Sequence, residues 1–465
     1  MTSRGRPVAE ELRALAEALL GADPPVGIRF FDGSHLGPTD GPATIVVRSP
    51  SALSRILWAP GELGIARAYV AGELDLEGDI YAVLALRDRL ARADRGDPAV
   101  RLGWAGLAGL ARAVARLGLL GPPPPAPPEE ARLRGVRHTA ARDAAAIAHH
   151  YDISNDFYRL VLGDSMTYSC AAYLEPGLSL EQAQQAKHAL VARKLGLAPG
   201  MRLLDVGCGW GSMLIYAATH HGVEGVGVTL SGEQAALARD RIAAAGLARR
   251  IEVRVQDYRE LDDGPFDAIC SIGMFEHVGL DRLQTYFATL SSLLRDRGRL
   301  LNHGIAQPAP AGHRAGFARR SFLDRYVFPD GELHEVGSVV SVMQACGFEV
   351  RDLESLREHY ARTLRAWVAN LERHWDEAVR HVGGARARIW RLYMAGSALG
   401  FAANRISVHQ VLGVRTDRTG GSGMPRSRSE LVGLPPMALP GAALASHGGR
   451  RPQIPLPARE PAAGS

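Results

Sequence analysis

From about residue 138 the chain alternates short apolar runs with amphipathic ones, and this alternation limits the folds open to it more than any other feature. MRLLDVG leads into a helical pattern through MLIYAATHH, and VEGVGVTL into EQAALARDRIAAAG. IEVRVQD and FDAICSIG follow, then LQTYFATLSSLLRD leads to GRLLNHGIA, and the late runs FEVRDLESL and ISVHQVLGV bring the strand count to seven. Strands separated by whole helices cannot close as hairpins; they pair in parallel beneath helices on both faces. The expected class is α/β, with a seven-stranded Rossmann-like sheet and a smaller N-terminal α+β or helical domain.

The composition of the 465 residues, 46% hydrophobic and 22% charged, is that of a globular chain long enough for two or three domains. It breaks at GPPPPAPPEEARLRG, where prolines remove backbone donors and force extended structure. The expected division is an N-terminal, lipid-associating domain at 1–120, a Pro-rich linker at 121–137, the sheet domain at 138–417, and a disordered Gly/Pro/Ser-rich tail at 418–465. GIRFFDG and ATIVVRS read as strands of the first domain, SALSRILW and DIYAVLALRDRLARA as helices. The N-terminal MTSRGRPVAEELRALAEALLG is amphipathic without the apolar core of a signal peptide. GWAGLAGLARAVARLGLLG is interrupted by Arg112 and Arg116, so it does not read as a membrane span. Its apolar face either lies in a membrane interface or packs on the sheet domain.

The formal net charge of +5 is small for this length. Six arginines against two glutamates from Arg418 onward place most of it in the tail, which argues against a nucleic-acid groove and permits attraction to an anionic membrane. Lys187 and Lys194 are the only lysines among 54 basic residues, a bias of coding style rather than a phosphate-binding design. Cys170, Cys208, Cys270 and Cys346 lie far apart without ligand spacing, which points to a reducing compartment and no metal site.

In LLDVGCGWGS a strand ends at Asp205, and Gly207, Gly209 and Gly211 precede a helix. Glycines let the backbone turn tightly against a ligand, and the helix start behind them offers free N–H groups. A dinucleotide site favours GxGxxG, whereas GxGxG after an acidic residue resembles the first motif of S-adenosylmethionine methyltransferases. Such folds often end their second strand with an acidic residue for the ribose; here Thr229 and Gln234 stand in that region. Gln256, Asp257 and Tyr258 fall after the third strand, where an adenine edge would lie, although an ordinary polar loop would look the same.

Seven stretches carry a more specific resemblance: HYDISNDFYRLVLGDSMTYSCAAYLE, LEQAQQAKHALVARKLGLAPGMRLLDVGCGWGS, GVTLSGEQ, SIGMFEHVG, RYVFPDGEL, HYARTLRAW and ISVHQVLGV. In number and order they resemble the cyclopropane-fatty-acid synthase family, with its mycolic-acid cyclopropane synthases and fatty-acid C-methyltransferases. The resemblance implies a class I methyltransferase fold in which Tyr168, Ser169, Gly207, Thr229 and Gln234 contact S-adenosylmethionine. It also implies a bicarbonate ion held by Cys170, Glu276, His303, the Ile305 backbone and Tyr360, with His277 pointing elsewhere. Tyr158, Tyr168, Tyr173, Phe275 and Tyr326 are candidates for an aromatic wall around an acyl chain.

The activity implied is methyl transfer to the cis double bond of an unsaturated phospholipid acyl chain. Alkylating an isolated alkene leaves a carbocation that must lose a proton before water arrives, so the site needs a base and apolar walls. Loss of the proton directly gives a cyclopropane; a prior hydride shift gives a 10-methylene chain, the product favoured by likeness to actinobacterial members. The implied partners are a phospholipid membrane surface and, for a methylene product, a separate reductase. Nucleic acid is excluded, a homo-oligomer is left open, and the expected location is cytoplasmic, peripheral at the inner face of the membrane. Two other readings are a small-molecule methyltransferase, which leaves Cys170, Glu276, His303 and Tyr360 without a joint purpose, and a noncatalytic lipid-binding protein, which predicts a damaged glycine loop.

Overall fold

Two sheets organise the protein. The computed structural model describes residues 6–21, 23–86, 104–131, 154–308, 321–328 and 331–433. Residues 1–424 form one compact unit and 425–465 a second.

The N-terminal part begins with α1 (Val8–Leu20), followed by β1 (Gly27–Phe30), β2 (His35–Leu36), β3 (Ala43–Val47), α2 (Pro50–Trp58), α3 (Glu62–Val70), β4 (Leu74–Gly78), α4 (Ile80–Leu84) and α5 (Trp104–Arg116). Its four strands lie in the order β2-β1-β3-β4, with β1 and β3 parallel. Helix α5 packs on α1 through its described residues: Ala113 is buried with Val8, Ala9 and Leu12 of α1, and Arg116 pairs with Glu11 at 3.1 Å. Among the described residues no helix is long and apolar enough to cross a membrane.

The Pro-rich segment lies along this unit. Arg55 donates to the Pro125 carbonyl, and the buried Glu130 carboxylate takes a two-pronged contact from Arg67 at 2.8 Å. The Tyr326 hydroxyl donates to the same carboxylate at 3.2 Å, which fastens the segment to the far part of the chain. Residues 132–137 lie outside the described residues.

After α6 (Asn155–Leu162) and α7 (Leu180–Leu195) come β5 (Arg202–Val206), α8 (Ser212–His221), β6 (Glu224–Thr229), α9 (Gly232–Ala244), β7 (Ile251–Val255), β8 (Phe266–Ile272), α10 (Leu283–Leu293) and β9 (Leu294–Ala306). The chain continues through α11 (Phe322–Tyr326), α12 (Val336–Ala345), β10 (Phe348–Ser355), α13 (Arg357–Arg373), α14 (Trp375–Ala402) and β11 (Ser407–Arg415). Local signals set the limits of α7: Ser179 and Gln182 form a reciprocal capping box, and Gly196 closes the helix in the left-handed conformation.

The seven strands lie in the order β10-β11-β9-β8-β5-β6-β7, the doubly wound, Rossmann-like sheet expected from the sequence. One strand departs from that expectation, because β11 runs antiparallel to both β9 and β10. A parallel strand needs a crossover that returns the chain to the opposite edge. The helical pair α13–α14 instead goes out and comes back, so β11 enters from the end where β10 left. The Leu356 N–H donates to the Val408 carbonyl at 2.9 Å and ties the two junctions together.

The tail, expected to be disordered from Arg418, starts with a closed turn: the Asp417 carboxylate accepts from the N–H groups of Thr419 at 2.9 Å and Gly421 at 2.8 Å. In the second unit α15 (Arg428–Val432) is helical, and residues 434–465 lie outside the described residues.

Lys194, at the end of α7, is fully buried and meets Asp352 at 2.9 Å and Glu354 at 2.6 Å, both on β10. Removing one partner from a buried ionic group strands the others in low dielectric. Lys194→Met should therefore lower the stability by about 3–5 kcal/mol, seen as a lower urea midpoint; an unchanged midpoint would remove this ion cluster from the account of the fold.

Candidate functional site

The first cavity lies at the carboxyl ends of β5, β6 and β8, the edge at which open α/β sheets hold ligands. Its floor is the glycine loop. Gly207 and Gly209 have positive φ of 79° and 53°, and a Cβ on Gly209 would meet nothing within 4 Å, so the backbone borders open space. Gly211 does not line this cavity: its Cα faces Ala238 of α9, where a Cβ would lie 3.4 Å from the alanine methyl, so its role is helix packing.

Of the other residues expected here, Tyr168, Ser169, Asp205, Thr229, Gln234, Gln256 and Asp257 all line the cavity. The Thr229 hydroxyl donates to the Gln234 side-chain oxygen at 2.9 Å, and the Arg259 N–H and guanidinium hold the Asp257 carboxylate at 3.0 and 2.9 Å. Burial pushes the Asp205 carboxyl up to about 6, against a thiol hydrogen bond from Cys270 at 3.3 Å.

The second cavity shares Tyr168, Ser169, Gly273 and His277 with the first. Cys170, Glu276, His303, Ile305 and Tyr360, drawn from four separate segments with His303 and Ile305 both on β9, all line it. Glu276 sits on a single 3-10 turn after β8, positioned by its neighbour Phe275. That ring packs against β9 because residue 304 is glycine: a Cβ there would stand 1.7 Å from the ring. The Ile305 N–H donates to Glu276 Oε1 at 2.7 Å, which joins the β9 backbone to the carboxyl. The other oxygen, Oε2, is buried without a hydrogen-bond partner among the described residues, as is His303 Nε2.

Burial raises the Glu276 carboxyl to about 7, against the opposing Ile305 hydrogen bond. Burial, reinforced by the positive charges of Lys187 and Lys194, lowers His303 to about 3 and keeps it neutral. On β11, directly across from His303, Gln410 approaches Nδ1 with its amide nitrogen at 3.3 Å. With Nδ1 accepting, the imidazole proton resides on Nε2 and is offered to the cavity. The Cys170 thiol donates to the Leu356 carbonyl at 3.5 Å, and burial drives its pKa upward, so it acts as a neutral group.

The aromatic wall differs from the expected one. Only Tyr168 of the five candidates lines the second cavity, its hydroxyl donating to that of Tyr393 at 3.1 Å. Tyr158 packs under Trp210 and Trp390, the Arg362 guanidinium covers Tyr173, and Tyr326 turns to Glu130. Phe328, Tyr393 and Phe401 supply the wall instead. Tyr393, Ser397 and Phe401 recur every fourth residue of α14, a helical stripe present in the sequence but indistinguishable there from core. His277, expected to point elsewhere, lines both cavities, and the buried Lys187 lines the first.

Fold and site together define a class: a Rossmann-like protein whose glycine-cradled ligand cavity shares a wall with an apolar cavity carrying a neutral acid and a neutral imidazole. The chain belongs to the mycolic acid cyclopropane synthetase family, whose model matches residues 138–411. It is 43% identical to the probable fatty acid methyltransferase Rv3720 of Mycobacterium tuberculosis over 86% of this chain and 93% of that protein. It is 32% identical to the tuberculostearic acid methyltransferase UfaA1 of the same organism, over 87% of this chain and 92% of that one. Among solved structures it resembles the mycolic acid cyclopropane synthase CmaA1 complexed with SAH and CTAB, at 35% identity and a TM-score of 0.55, over 58% of this chain and 98% of that one.

A carboxyl whose folded pKa is raised lends stability that is present below its unfolded pKa and lost as pH rises through the folded value. For Glu276 that window runs from 4.5 to about 7. Glu276→Gln should gain on the native protein across it, by about 3 kcal/mol at the upper end; parallel stability curves from pH 4 to 8 would show that the carboxyl is not neutralised by burial.

Proposed function

We propose that the protein transfers a methyl group from S-adenosylmethionine to the cis double bond of an unsaturated phospholipid acyl chain, with bicarbonate beside the methyl donor. The observation that carries this reading is the pair of buried, unpartnered polar atoms, Glu276 Oε2 and His303 Nε2, in an otherwise apolar cavity adjoining the glycine cradle. A protonated carboxyl and an N–H fit a small oxyanion that accepts from both. A hydrocarbon alone would leave them unsatisfied, at a cost of about 1–3 kcal/mol each.

The methyl donor supplies an electrophilic carbon and the bicarbonate a proton acceptor. The chain's own residues do the rest. Glu276, neutral below about 7, can donate through Oε2 while Ile305 fixes its other oxygen. Because His303 has a pKa of about 3, it stays an uncharged donor and does not compete for the proton lost by the substrate. Tyr360 and Cys170 complete the polar rim. The rings of Phe328, Tyr393 and Phe401 exclude water and border the space where positive charge develops.

The acyl acceptor is supported by the names of the two relatives described above, which match beyond the family region, one a fatty acid and the other a tuberculostearic acid methyltransferase. Neither is named for cyclopropane formation, which favours the methylene product. Action at the inner face of the membrane is supported by apolar side chains exposed on the N-terminal part, among them Trp58 at 49% and Leu120 at 70%.

Incubation with labelled S-adenosylmethionine and oleoyl phospholipid should add one CH2 to the acyl chain, and chromatography against methylene and cyclopropane standards identifies the product. An unchanged lipid rejects the acceptor. Glu276→Ala should cut turnover by at least about 100-fold while S-adenosylhomocysteine binding by calorimetry stays within about twofold; a fully active variant takes Glu276 out of the chemistry. Carbon dioxide-free buffer should slow the wild-type enzyme and added bicarbonate restore it, whereas an indifferent rate excludes the ion.

A further inference from the structure

The only two lysines of the chain lie seven residues apart on α7, both fully buried, and their surroundings differ. Lys194 has two carboxylates within ion-pair distance. Lys187 has none among the described residues; its hydrogen-bond partner there is the Ser169 hydroxyl, at 3.1 Å. A buried ammonium is costly unless an anion faces it. Here the burial pulls its pKa down to about 8, and Asp205 and Cys170 lie within electrostatic reach. Lys187 also lines the first cavity, so the missing counter-charge can come from a ligand.

The position of Lys187 says which part of the ligand. Ser169, which it holds, belongs to the wall shared by the two cavities. On the reading proposed above, the donor methyl must face that wall, and the amino-acid arm departs from the same sulfur atom. The zwitterionic end of that arm therefore reaches the region where the cavity presents one buried cation, Lys187, and one buried carboxyl, Asp205. A neutral pair of opposite charges set into apolar walls is complementary to an α-ammonium with an α-carboxylate. We propose that Lys187 binds the α-carboxylate of the cofactor, with Asp205 receiving its α-ammonium. Ser169, whose oxygen accepts from Lys187, keeps its own proton for the same carboxylate.

This assignment rests on the S-adenosylmethionine reading, and the test separates the two. Calorimetric binding of S-adenosyl-L-homocysteine and of its decarboxylated counterpart, which keeps the amine and adenosine, is measured on the full chain. The wild type should prefer the intact ligand by about 10- to 100-fold, the range of one charge-assisted contact. Lys187→Met should reduce that preference below about threefold by weakening only the intact ligand. Retention of the preference in Lys187→Met, or its absence from the wild type, overturns the Lys187 assignment and leaves the cofactor reading standing. Failure of the wild type to bind either ligand overturns both. Should Lys187→Met bind neither, Lys187→Gln, which can still donate to Ser169, carries the same comparison. A variant that keeps its preference but loses its response to bicarbonate would place the ammonium's counter-charge in the second cavity and also refutes the assignment.

Discussion

The Ile305 N–H to Glu276 Oε1 hydrogen bond is the contact on which the site depends. It joins the end of β9 to the turn after β8 and fixes a carboxyl where water does not reach it. One oxygen is held and the other is left without a partner among the described residues. Burial then makes the acid neutral at pH values where exposed glutamates are ionised, converting an acceptor into a donor. The packing of Phe275 against Gly304 gives this turn its position, so a glycine on the neighbouring strand is as much a part of the site as the acid itself.

Electrostatics divides the interior into two regimes. Around the glycine loop, Lys187 and Asp205 place opposite charges beside the first cavity. Around Glu276 and His303, polar groups are uncharged below about pH 7: burial raises the carboxyl to about 7, the imidazole is neutral, and the Cys170 thiol is held in its protonated form by burial. Such a division suits chemistry in which a charged donor meets a hydrocarbon. Fixed charge serves one ligand, while neutral donors and aromatic faces surround the other without stabilising water beside it.

The N-terminal part and the Pro-rich segment are tied into this arrangement. Glu130 binds Arg67 on one side and Tyr326 on the other, Glu62 accepts from the Phe322 N–H at 3.3 Å, and Arg391 of α14 reaches Tyr69 and the Gly78 carbonyl at 3.4 Å. The helices that wall the second cavity, α11 and α14, are thus braced from the N-terminal side. A composition break that reads as an extended linker is bridged by polar contacts, because proline stiffness favours an extended path that neighbouring side chains can grip.

The sequence by itself determined the seven strands, the glycine cradle and the four polar residues and one isoleucine singled out for the second cavity, because strand periodicity and short motifs are local properties of the chain. It also singled out Lys187 and Lys194 by count, without showing that either is buried. Tertiary structure alone decided what depends on elements returning to one another: the reversal of β11 by a helical pair, and the choice of Phe328, Tyr393 and Phe401 over Tyr158, Tyr173 and Tyr326 as the wall. It likewise decided that Gly211 serves packing, that Ile305 acts through Glu276, and that His277 reaches both cavities. A side chain's type and spacing are written in the sequence; its burial, partner and protonation state are set by residues a hundred positions away.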